Sequence, residues 1–137
     1  MKPFALQPEM TSAAGTFYPT GHVFALFPDE NAARRAGQAL TDQGHADIAH
    51  AAPETILQHV VRTLGNADEP LPSVGAEGVI VRRIADLAAS GRHALFFAAR
   101  DEDSPESLQA ALEPLGSEAA FYYRQLVIED LIPLPVR

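Results

Sequence analysis

Five histidines, at positions 22, 45, 50, 59 and 93, are the side chains of this chain best suited to move a proton or hold a metal near neutral pH. With no cysteine among 137 residues, thiolate catalysis, iron–sulfur ligation and disulfides are excluded. The sequence holds no G-x-x-x-x-G-K-[ST] or G-x-G-x-x-G phosphate loop, no G-x-S-x-G elbow and no H-E-x-x-H zinc helix. Carboxylates are plentiful, but Asp101, Glu102, Asp103 and Glu106 fall where a helix begins, and negative charge there is stabilised by the helix dipole. The chemistry therefore rests on which histidines the fold brings together.

The elements that position them follow from pattern. Residues 22–27 (HVFALF) form a short apolar run stopped by Pro28-Asp29-Glu30, which predicts a buried strand. Asp29 then caps a helix whose apolar stripe is Ala32, Ala36, Ala39 and Leu40, and Gly44 ends it. Residues 46–51 (ADIAHA) read as a short edge strand. Pro53 opens a helix with the stripe Ile56, Leu57, Val60, Val61 and Leu64, and a second helix carries Ile80, Val81, Ile84, Leu87 and Ala88. Residues 93–99 (HALFFAA) repeat the first strand, and Ser104-Pro105-Glu106 starts a helix that Pro114 must distort. Residues 119–128 form the final strand.

Without residues 53–90 the order is strand–helix–strand twice over. That order predicts an α+β fold, a ferredoxin-like split βαβ antiparallel sheet with a two-helix insertion between strands 2 and 3. Residues 1–20 are an extended N-terminal arm, 21–132 a single ferredoxin-like domain with 53–90 as its helical insertion, and 133–137 a C-terminal tail. In this topology His50 ends strand two and His93 starts strand three, at the end where Asp29 and Glu30 leave strand one. Two imidazoles and a carboxylate under the inserted hairpin are a candidate ligand or metal site. Zn²⁺ needs at least three such ligands, and the sequence assigns no metal and no cofactor. His22 and His45 share the opposite end with residues 101–103, and His59 lies on the inserted helix.

The sheet is apolar on both sides, with Val23, Ala25 and Phe27 opposing Phe24 and Leu26, and Leu95 and Phe97 opposing Phe96 and Ala98. Two helices cover one face, so the other requires the hairpin, the arm or a second copy of the chain. Phe24, Phe96 and Tyr122 are therefore interface candidates of a homodimer or higher homo-oligomer. A formal charge of −8, with Lys2 the only lysine, opposes binding to nucleic acid and to anionic membranes. The apolar fraction of 47% is that of a folded domain, and no stretch approaches the length of a membrane span. With no targeting segment visible, a cytoplasmic protein is expected.

The segment VFALFPDENAARRAGQALTDQG, followed by a short strand, resembles the opening of the bacterial general stress proteins. Their domain begins with an apolar strand, an acidic turn, an alanine-rich helix and a glycine. The likeness covers the first third of the chain and, more loosely, the last strand–helix–strand. It implies a small bacterial ferredoxin-like protein with no established catalytic residues. In the middle this sequence departs, with two amphipathic helices where such proteins often carry a glycine-rich segment. The expected function is a non-catalytic, homo-oligomeric binding or interaction module of the stress-associated kind. The alternative is a ligand-responsive regulatory domain or small enzyme, with a small-molecule pocket between hairpin and sheet.

Overall fold

A computed structural model describes residues 1–12, 15–64 and 76–132. In chain order these form β1 (Lys2–Pro3), a 3-10 turn (Pro8–Met10), β2 (His22–Phe27), α1 (Glu30–Asp42), β3 (Ala49–Ala51) and α2 (Pro53–Thr55). There follow α3 (Ala76–Ala89), β4 (His93–Ala98), α4 (Pro105–Leu112), β5 (Ala119–Tyr123) and β6 (Ile128–Asp130). The fold is α+β, with a mixed six-stranded sheet in the order β1-β3-β4-β2-β5-β6. All neighbours are antiparallel except β1 and β3, which are parallel.

This sheet differs from the four-stranded antiparallel one expected, because each edge carries an added strand. The arm supplies β1, so β3 is an inner strand and not the edge. Residues 119–128 are two strands rather than one: the chain turns at 124–127, where Arg124 N–H donates to the Val127 carbonyl, and β6 folds back on β5. The strand expected over 46–51 begins only at Ala49, since Asp47 adopts a left-handed φ of 54° that breaks the extended run.

Local chemistry explains the helices. Asp29 accepts a hydrogen bond from Ala32 N–H at 2.8 Å, the N-cap its position predicts. Gly44, at φ 103°, provides the left-handed stop of α1. Ser104 and Ser107 cap α4 reciprocally, and at Pro114 the helix tightens into a 3-10 turn, Glu113–Leu115. Pro53 starts α2, which passes into a π-helical turn (Ile56–Val60) and a 3-10 turn (Val61–Leu64). The loop between the inserted helices and the tail at 133–137 lie outside the described residues.

Each face of the sheet has its own core. Val23, Ala25, Phe27, Leu95 and Phe97 pack against α1 and α4 through Ala33, Leu40, Leu108 and Leu112. On the opposite face Phe24, Leu26, Phe96 and Phe121 pack against Phe4 and Phe17 of the arm, Ile56 and Val60, and Val81 and Ile84 of α3. The arm's rings meet the sheet edge to face, with Phe4 5.2 Å from Phe96 and Phe17 5.4 Å from Phe24 between centroids. Phe24 and Phe96 were expected to face a partner subunit. They are interior residues, because arm and hairpin cover that face within one chain. Tyr122 lies on the other side, half-buried beside the α1 and α4 core.

Candidate functional site

At the upper end of the sheet, His50 on β3 and His93 on β4 come together as their strand positions predict. Nε2 of His50 and Nδ1 of His93 are 3.0 Å apart, and the rings lie parallel within 7°. In that bond one nitrogen donates and the other presents a lone pair, so at least one ring is uncharged. Burial, then the second imidazole, hold the His50 pKa below the ordinary histidine value, while Glu30 acts in the opposite direction.

The surroundings of the pair differ from those expected. His50 pairs with Leu95 and His93 with Phe27, both in the α1 and α4 core, so the imidazoles sit on the α1 side of the sheet and not beneath the hairpin. Asp29 is committed to its cap and Glu30 to an i,i+4 ion pair with Arg34 at 3.0 Å. Among the described residues no three His, Asp or Glu side chains converge to hold a metal ion. An open cleft of about 430 Å³ adjoins the pair, lined by Met1, Lys2, Pro3, Arg34 and His50.

A larger cleft, of about 550 Å³, opens at the lower end, between the arm and the sheet. Its origin is the kink at Asp47. In β2 and β4 the Ala99 N–H donates to the Gly21 carbonyl at 2.9 Å, which makes His22↔Ala98 a non-hydrogen-bonded pair. The N–H and carbonyl of Ala98 therefore point away from β2, toward the place where β3 would continue. β3 has already ended there, its last partner on β4 being Phe96. Ala98 is exposed, and the cleft fills the missing strand position with Ala46, Asp47 and Ala98 on its walls.

The rest of the lining is specific. The His22 ring stacks on Phe96 at 4.7 Å and 10° from parallel. Its Nδ1 lies 3.0 Å from the Thr20 carbonyl, and since a carbonyl only accepts, Nδ1 is the donor of that bond. Phe4 and Met10 contribute apolar wall from the arm, and Lys2 and Arg100 contribute cations. Arg100 is clamped: Nη2 and Nε donate to Asp103 at 3.0 and 3.3 Å, and Nη1 donates to the Gln43 carbonyl at 2.9 Å. Burial works to raise the Asp103 pKa, but the bonds from Arg100 outweigh it and the net displacement is downward.

Comparison with family models, with characterised proteins and with solved structures returned no match. The site is therefore judged on its own geometry. His45, next to the cleft, is buried edge-on against Phe97 at 4.9 Å, and its Nδ1 has no hydrogen-bond partner. Burial first, and the Arg100 cation second, hold its pKa down. His59 plays no part at either end, lying exposed on the π-helical turn. The sequence reading placed His22 and His45 at this end but missed the cleft. An Asp following Ala in a predicted strand is the one signal of it, because Asp tolerates left-handed φ better than the β-branched residues a strand favours.

Proposed function

We propose that the protein is a cytoplasmic, non-catalytic binding module built on a ferredoxin-like split βαβ core, of the stress-associated kind that the sequence resemblance implies. β2–α1–β3 and β4–α4–β5 are its two halves, with β1 and β6 added at the edges. The observation that carries the reading is the arm-walled cleft: about 550 Å³ with aromatic floor and few polar groups falls within the roughly 300–1,000 Å³ of small-ligand sites. Arg100, already bonded to Asp103 and Gln43, acts as a fixed wall and not as a reactive group. The pocket that the alternative reading set between hairpin and sheet is thereby relocated to the arm.

A screen of small molecules by protein NMR tests this. Hits are expected to shift resonances of residues 2–10, 22, 44–49 and 96–100; hits that shift other regions alone, or none at all, overturn the reading.

A second reading, self-association, is favoured by one feature. Leu126 is 95% exposed at the tip of the β5–β6 turn, and Val127 beside it is 49% exposed. Such a tip suits burial against a second copy. Sedimentation of the wild type as a dimer, and of Leu126→Asp as a monomer, is the expected result; a monomeric wild type removes the reading.

A further inference from the structure

We infer that the lower cleft recognises a small planar molecule through an adjacent hydrogen-bond donor and acceptor, a lactam or a similar heterocycle, held by the main chain of Ala98. The inference rests on the binding reading above and names its ligand class. A residue whose N–H and carbonyl point to the same side offers the donor–acceptor pair that a neighbouring strand normally uses. Along the β3 side of β4, Phe96 spends this pair on Ala49, and Ala98 is the next residue to face the same way. Among the described residues neither its N–H nor its carbonyl is bonded on that side, although the N–H groups of Ala99, Lys2 and Phe4 nearby are all bonded. The left-handed Asp47 removes the strand that would have taken it.

The other walls choose the shape. His22 and Phe96 stack as one flat aromatic block, with the His22 ring fixed by its Nδ1 bond to the Thr20 carbonyl. Phe4 closes on Phe96 at 74° and narrows the cleft above it. A flat ring with N–H and C=O side by side can satisfy Ala98 in both directions while its face meets the arm's apolar groups. An extended peptide also has the donor–acceptor pair, but its side chains on alternate faces would meet the His22–Phe96 block and the Gly44–Asp47 wall.

The test uses the full chain with 2-pyridone as the probe, and N-methyl-2-pyridone, which lacks the N–H, as its control. 2-Pyridone is expected to shift the Ala98 amide and the His22 ring resonances saturably, with the methylated compound binding at least tenfold more weakly. Ala98→Pro deletes the N–H that meets the carbonyl of either probe without breaking a bond of the sheet, since that group faces away from β2, and it should weaken both probes while the retained main-chain carbonyl still favours 2-pyridone. Equal binding of both probes at the cleft overturns the Ala98 assignment and leaves the binding reading standing. Saturable binding of acetyl-dialanine methylamide in place of 2-pyridone assigns the notch to strand addition and overturns the heterocycle. If neither probe nor any molecule of the wider screen shifts the cleft, both readings fall.

Discussion

Phe17→Ala should cost this protein a large share of its stability, although Phe17 belongs to no strand or helix of the sheet. Its ring is fully buried and meets four others, Phe4, Phe24, Phe96 and Tyr123, at centroid separations of 5.4–6.4 Å. Truncating a buried Phe to Ala destabilises by about 3–5 kcal/mol, from lost transfer energy and from the cavity left behind. The upper half of that range applies here, because three of the contacts are edge-to-face and these add roughly 0.5–1.5 kcal/mol each beyond area burial. Typical domains have only about 5–15 kcal/mol in total. Urea unfolding followed by far-ultraviolet circular dichroism should therefore show a much lower midpoint at an unchanged slope. Val79→Ala, at an exposed site on α3, is the control and should stay within about 0.5 kcal/mol of wild type. A loss below about 1 kcal/mol for Phe17→Ala would mean that the arm is not docked in the core, and the arm-walled cleft would go with it.

Two further outcomes follow from local chemistry. His45 and His50 have pKa values depressed in the folded state, so on acidification through about pH 6.5 the unfolded chain takes up protons first; the urea midpoint should fall between pH 7.5 and 5.5, with a shallower fall in His45→Phe, and a midpoint that rises would refute the burial argument. Asp29→Ala removes the cap of α1 and should cost about 1 kcal/mol, with most of it recovered in Asp29→Asn, as calorimetric melting would show.

Features encoded within a few residues were legible in the sequence. The cap at Asp29, the stop at Gly44 and the distortion at Pro114 each depend on one side chain or one backbone angle, and each stands where pattern places it. The meeting of His50 and His93 was also legible, because it needs only the strand order and the strand ends. What pattern missed was decided by partners distant in sequence. Lys2–Pro3 is far too short to read as a strand, and becomes one only because Ile48, just before β3, and His50 within it offer their carbonyls to the N–H groups of Lys2 and Phe4. The break after Tyr123 is hidden because Gln125, Leu126 and Val127 look like continued strand, whereas the chain turns there so that β6 can pair with β5. The side on which the histidines sit depends on the phase of the pleat: a one-residue difference in register separates the α1 face from the hairpin face.

The two outermost strands also bear on how copies of this chain meet at high concentration. β2 and β4, the most apolar six-residue strands, are enclosed on both flanks, and the sheet ends on one side with two residues, Lys2 and Pro3, of which Pro3 has no N–H to offer. On the other side it ends with three, two of them carboxylates that are ion-paired to Arg83 and Arg124. Short, charged or proline-bearing margins are poor templates for adding a further chain by main-chain hydrogen bonding. Among the described residues neither margin therefore favours growth of the sheet from one copy into the next, and the apolar side chains at Leu126 and Val127 are better suited to a contact between copies than either outer strand.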